Sequence, residues 1–226
     1  MRSLIRLVLP LAMSLAMTGG ALADTATFYT VTYVEVGPAA AAQGAALVRQ
    51  YGEATRKAAG AVRVESLQRL DRPNQLVLAV AWTEQKAFDA HQAAPATGEF
   101  QGKLAPLLAS PNDQRLHGAL SVGAPAASPA GAVYAVTHVD VIPPRKDDAV
   151  AALKQLADES RKDSGHVRFD VVQQTNRPNH FTVVEVWKDR RAFDAHGMAA
   201  HTRRFRDQLG PMSGSLYDER LYQTLE

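Results

Sequence analysis

Three side chains near the C-terminal end of the chain have the types needed to act together. Glu185, His196 and His201 lie in the stretch EVWKDRRAFDAHGMAAH, with Trp187 two positions after the glutamate. A histidine ionises near pH 6.5 and so can take or give a proton at neutral pH. Strand alternation puts Val183, Glu185 and Trp187 on one face and Val184 and Val186 on the other. If that face is buried, Glu185 must be hydrogen-bonded, paired with a cation such as a protonated imidazole, or itself protonated. A glutamate at a solvent-washed sheet rim is the competing reading. Trp187 offers a flat wall against which an aromatic molecule can stack, or simply fills core. His196 lies three positions after Phe193, and His201 precedes Phe205 and Leu209 by four and eight, so both border apolar helical stripes. Five positions on one continuous helix separate two side chains by about 140°. Two-histidine metal ligation therefore fails unless Gly197-Met198 breaks the helix. A set of His196, His201, Glu185 and His138 can be drawn, but the reading adopted has no metal and no cofactor.

These residues belong to the second of two copies. Tyr29 to Leu120 maps onto Tyr134 to Leu225 at a constant offset of 105 without a gap, pairing Arg72-Pro73-Asn74 with Arg177-Pro178-Asn179, Trp82 with Trp187, and Phe100 with Phe205. Register held over this length marks a duplication. The AFDAH segment recurs, so His196 has a counterpart in His91, whereas Val80 stands opposite Glu185 and Ala96 opposite His201. Five of the seven histidines fall in the second copy. The contrast points to a more complete site there and a degenerate one in the first. The proposed organisation is a first domain over 27–120, a linker over 121–132 (SVGAPAASPAGA), and a second domain over 133–226.

Each copy reads alike. In the second, Tyr134 to Val141 is a valine- and threonine-rich strand closed by Pro143-Pro144. Arg145 to Ser164 carries Val150, Leu153, Leu156 and Ala157 on one helical stripe, with Gly165 where a C-terminal cap belongs. Val167 to Gln174 and Phe181 to Trp187 form a hairpin across NRPNH. Asp189 can cap a short helix through His196, a further helical piece runs from about Ala199 to Leu209, and Leu216 to Tyr222 is the closing strand. The order β-α-β-β-α-β is ferredoxin-like, an antiparallel sheet with helices on one face, so the fold class is α+β. The uncovered apolar face of each sheet needs a partner, and the other copy supplies it as an internal pseudo-dimer. Pairing of each half with a second chain, giving a homodimer, is the open alternative.

The N-terminal MRSLIRLVLPLAMSLAMTGGALAD has Arg2 and Arg6, a short apolar run and Ala21-Leu22-Ala23, the pattern of a secretory signal over 1–23. The expected location is periplasmic or secreted, with no membrane attachment after cleavage. Removing the leader leaves 23 basic residues against 23 acidic ones, which excludes a nucleic-acid-binding charge pattern. The absence of cysteine excludes disulfides, thiolate metal sites and cysteine nucleophiles.

At Glu185-x-Trp187, Ala192 to His196, His201 and Phe205, the chain resembles the antibiotic biosynthesis monooxygenase domain family, which includes small quinol monooxygenases and is related to some haem-degrading enzymes. The resemblance covers nearly all of both copies. It implies a dimeric α+β barrel, here made within one chain, with a pocket between sheet and helices in each half. It also implies oxygenation of a small aromatic, phenolic or quinol compound without metal or flavin. In that chemistry His196 or His201 is the base, Glu185 orients the imidazole, and Trp187, His138, Phe205 and, from the first copy, Trp82 and His91 bind substrate. Two other functions stand beside it: non-catalytic binding or scavenging of small apolar ligands, and haem binding or degradation. The haem-degrading relatives share a first-strand asparagine where this chain has His138.

Overall fold

A computed structural model describes residues 25–225; the expected signal segment, 1–23, lies outside them. Each copy contributes four strands and three helices. The first gives β1 (Phe28–Glu35), α1 (Ala41–Thr55), β2 (Ala61–Arg69), β3 (Gln75–Trp82), α2 (Gln85–Gln92), α3 (Pro95–Leu104) and β4 (Asp113–Ser121). The second gives β5 (Val133–Asp140), α4 (Lys146–Ser160), β6 (His166–Gln174), β7 (His180–Trp187), α5 (Arg190–Gly197), α6 (Ala200–Leu209) and β8 (Asp218–Thr224). The expected helix over Arg145 to Ser164 is thus shorter: Pro143–Arg145 is a tight 3-10 turn and the chain turns after Ser160. Ser121, at the start of the expected linker, belongs to β4.

The eight strands form one closed antiparallel barrel in the order β1-β3-β2-β8-β5-β7-β6-β4. Face-to-face stacking of two open sheets does not describe it, because the sheet edges themselves join. Leu67 to Arg69 of β2 pair with Tyr222 to Thr224 of β8, and His117 to Ser121 of β4 pair with Val171 to Gln174 of β6. Each strand therefore has two neighbours and no edge is left to template another chain. All helices lie outside the barrel, so the strands are covered on both faces. This is why β3 (QLVLAVAW) reads as a continuous apolar run after its first residue, β7 (HFTVVEVW) as one interrupted only by Thr182 and Glu185, and both are buried at every position after the first.

Closure leaves polar side chains in the lumen, where they must satisfy one another. Arg168 of β6 makes a two-pronged bond to Glu65 of β2, 2.7 Å at each nitrogen, and Arg63 of β2 bonds Asp170 of β6 at 2.7 Å. Arg168 and Glu65 are buried. The offset of 105 relates Arg63 to Arg168 and Glu65 to Asp170, so the cross-links are two versions of one contact, and they tie the halves together through the barrel interior.

Gly165 and Gly60, the paired turn glycines before β6 and β2, have φ of 82° and 78°. A Cβ on Gly165 would stand 2.6 Å from the Ala192 methyl, and one on Gly60 would stand 2.5 Å from that of Ala87. Only glycine allows this left-handed turn to pass so close to the start of the following short helix. The turn thereby fixes the helix that carries His196 or His91.

Candidate functional site

In the second half, Glu185 and Trp187 on β7 face the helices, and Asp189 caps α5 by accepting a bond from the Ala192 N–H at 2.8 Å. Helix α5 ends at Gly197 and α6 begins at Ala200. That break removes the angular separation a continuous helix would impose, and the rings of His196 and His201 come within 5.4 Å of one another. His196 stacks on Trp187, centroids 4.5 Å apart. Its Nδ1 lies 2.8 Å from Asp163 Oδ2, the same oxygen lies 3.1 Å from His201 Nε2, and its Nε2 lies 3.6 Å from Glu185 Oε2. Glu185 is buried, and burial pushes its carboxyl up to about 8, against the bond it accepts from the Trp187 N–H. At neutral pH it is therefore mostly uncharged. Burial likewise lowers the pKa of His196, with Asp163 opposing the shift.

His138 is not part of this group. It lies on the lumen face of β5, alternating with Ala135, which is the register partner of Glu185. It accompanies His180 at 3.3 Å and the Phe181 carbonyl at 3.1 Å, in a recess also lined by Arg115. Burial, with Arg115 and His180 nearby, depresses its pKa to about 4. Phe205 is buried in the core beside Phe193 and Leu209.

The first half holds the open space. A cavity of about 120 Å³ lies between the sheet and the helices, walled by Trp82, Phe88, Phe100, Tyr51, Val80 and Leu78, with His91 on its lining. At the matching positions of the second half the side chains are larger: Phe169 stands where the first copy has Val64, Tyr217 where it has Asn112, and Glu185 where it has Val80. Around His91, Tyr51 Oη is 3.0 Å and Thr55 Oγ1 3.2 Å from Nε2. The two threonine protons are committed, Thr55 donating to the Tyr51 carbonyl at 2.8 Å and Thr97 to the His91 carbonyl at 2.7 Å. The Tyr51 hydroxyl then donates to Thr97 Oγ1, 2.9 Å away, and accepts from Nε2–H of His91. This assignment satisfies every group and leaves Nδ1 as the nitrogen with the lone pair. Burial lowers the pKa of His91, so the ring is neutral at pH 7.

The family of monooxygenases that act in antibiotic biosynthesis matches the chain twice, over residues 27–103 and 132–208. The chain belongs to the antibiotic biosynthesis monooxygenase family. YcnE of Bacillus subtilis, which bears a provisional monooxygenase name, is 26% identical over 68 residues, 30% of this chain and 72% of that protein. A structure from Fusobacterium nucleatum, also provisionally named a monooxygenase, superposes with a TM-score of 0.78 at 13% identity, over 89% of this chain and 94% of the other. One from Lactobacillus acidophilus, named in the same way, gives 0.72 at 12% identity, over 89% and 95%. At these identities the structures speak for the shared fold. Together with the family match, they make the protein a monooxygenase-like member built as an intrachain pseudo-dimer.

Sequence reasoning had not singled out Asp163, Tyr51, Thr55 or Thr97 of this family member. The contrast between copies that marks His201 against Ala96 also marks Asp163 against Ala58, so that comparison carried the signal for the acid. Tyr51 against Leu156 is a similar contrast, at the position where the cavity side gains a hydroxyl.

Proposed function

We propose that the protein is an exported, cofactor-independent monooxygenase of a small phenol or quinol, and that the reaction takes place in the first-half cavity with His91 as the base. The observation that carries this reading is the coincidence in one place of an aromatic-walled cavity and an imidazole held through Nε2 by the Tyr51 hydroxyl. A cavity of about 150 Å³ lined by apolar side chains holds benzene, so the space of about 120 Å³ suits one aromatic ring and is far too small for a tetrapyrrole. At this cavity, size favours the oxygenase over the haem reading.

Nδ1 of His91 takes the phenolic proton. A phenol with a pKa near 10 is mostly neutral at pH 7, so a base held against it shifts the balance toward the electron-rich phenolate. The ring then reacts with dioxygen. For a quinol, loss of two hydrogens and gain of one oxygen atom gives a hydroxyquinone, and the second oxygen atom leaves as water. The substrate supplies all four electrons, so no outside reductant is required. Trp82, Phe88 and Phe100 hold the ring and exclude water, and the Tyr51–Thr97 pair fixes the imidazole. Export rests on the leader-like residues 1–23.

Oxygen uptake with a panel of monocyclic quinols and phenols tests this reading. His91→Ala should lower turnover by about 10²-fold or more, the usual contribution of a positioned base, while His196→Ala leaves turnover nearly unchanged. The opposite ranking would return the chemistry to the second half. Ligand-dependent stabilisation with no oxygen consumption would make the protein a binding or scavenging one.

A further inference from the structure

The second half gathers donors that the first half does not have. We infer that Asp163, His196 and His201 form a binding site for a divalent transition-metal ion of the zinc, cobalt or nickel class. One donor atom from each lies within 4.8 Å of the other two. Asp163 Oδ2 already stands 2.8 Å from His196 Nδ1 and 3.1 Å from His201 Nε2. An ion bonded at 2.0–2.2 Å to nitrogen and oxygen ligands in a tetrahedral site holds its donors roughly 3.3–3.5 Å apart, so small side-chain shifts suffice.

Three further observations fit a cation. His201 Nε2 is buried with no hydrogen-bond partner of acceptable geometry, despite its closeness to Asp163. Such a buried, unsatisfied nitrogen is costly unless something else takes its lone pair. The donor chemistry, two imidazoles and one carboxylate, suits first-row transition ions better than magnesium or calcium, which favour all-oxygen shells. The backbone is fixed where it matters: His196 is stacked on Trp187, and Asp163 sits in the tight turn closed by the obligatory Gly165. Three protein ligands leave a fourth position for water or a small anion, reached from the partly exposed His201 side. The first half provides a built-in control, since Ala58 and Ala96 replace Asp163 and His201 there and only His91 remains.

Isothermal titration of the chelator-treated protein with zinc, and absorption titration with cobalt(II), test the site. The expected result is one equivalent bound, with the visible bands of low-coordinate cobalt. His201→Ala, which copies the natural first-half residue, should weaken binding at least 10-fold, and Asp163→Ala should do the same, whereas His91→Ala leaves it intact. Binding that neither His201→Ala nor Asp163→Ala weakens, or the absence of any saturable heat and any visible band, overturns the assignment. Far-ultraviolet circular dichroism on each variant separates a lost ligand from a lost fold. Because the readout is metal binding and not turnover, its outcome is independent of the oxygenase reading.

Discussion

Trp187 donates its indole N–H to Glu185 at 2.8 Å, whereas its counterpart Trp82 donates to Thr30 at 3.1 Å. The exchange is compensated on both sides. Where the first copy has Thr30 and Val80, the second has Ala135 and Glu185. Each buried tryptophan thus keeps one acceptor, supplied by the first strand in one half and by its own strand in the other.

Glu185→Val should therefore leave the Trp187 N–H unpaired and cost about 1–3 kcal/mol. The double change Ala135→Thr with Glu185→Val should recover much of that loss by restoring the first-half arrangement. Calorimetric melting of the wild type, both single variants and the double variant checks this cycle; simple additivity would show that the two acceptors are not interchangeable.

Making the first half resemble the second should close the cavity. Val64→Phe with Asn112→Tyr places there the side chains that stand at the matching positions as Phe169 and Tyr217. The expected outcome is retention of the fold, with at least a 10-fold loss in the stabilisation or turnover produced by small aromatic compounds. Thermal-shift titration with a monocyclic phenol measures it.

Breaking the lumen network should be expensive. Glu65→Ala removes both prongs of the bond to the buried Arg168, leaving Asp170 as its remaining carboxylate. Removal of one partner of a buried pair costs about 3–5 kcal/mol, and the low end applies here because Asp170 stays. Replacing Glu65 and Arg168 together by leucine and methionine should cost less than the single change, as urea denaturation curves would show.

Acid should destabilise the barrel through its buried histidines. His117 is buried against Thr182, and burial lowers its pKa to about 4. In the unfolded chain it ionises near 6.5. Between those values the unfolded state binds the extra proton, so stability falls as pH drops from about 6.5 to 4, by up to roughly 1.4 kcal/mol per pH unit for such a group, and levels off below. His138, also depressed to about 4, acts in the same window. His117→Gln should flatten the slope of melting temperature against pH; an unchanged slope would mean that His117 is already protonated in the folded protein.

The paired α+β units were legible in the sequence because the repeat fixed them, whereas closure of the sheet edges into a barrel was implied only by the family resemblance. One β-α-β-β-α-β unit with an apolar second face, written twice at a constant offset, leaves few ways to bury that face. Elements and their order follow from local patterns, and the cap at Asp189 is where its residue type places it, whereas Gly165 does not cap α4, which closes at Arg161, but turns the chain into β6. The meeting of His196 and His201 was conditional on a break at Gly197-Met198, and the break is there. What local pattern does not reveal is volume. Whether space remains under the helices depends on the sizes of side chains from several elements at once, Val64, Val80 and Asn112 against Phe169, Glu185 and Tyr217. The copy with more ionisable groups is the one expected to hold the pocket, whereas the aromatic-walled cavity lies in the other copy. His138 was misplaced for a different reason: alternation fixes that it lies opposite Ala135 and Thr137, but which face looks at the helices is decided by the closure of the barrel.

Joining the halves by peptide bonds changes what mutation can do to them. When identical subunits assemble a barrel, every substitution is made twice, and a change that fills one pocket fills both. Here Phe169 and Tyr217 can occupy one side while Val64 and Asn112 keep the other open, with the lumen contacts between Arg63, Glu65, Arg168 and Asp170 holding the two sides in register. Covalent linkage has released the two pockets from enforced symmetry, and each is free to specialise.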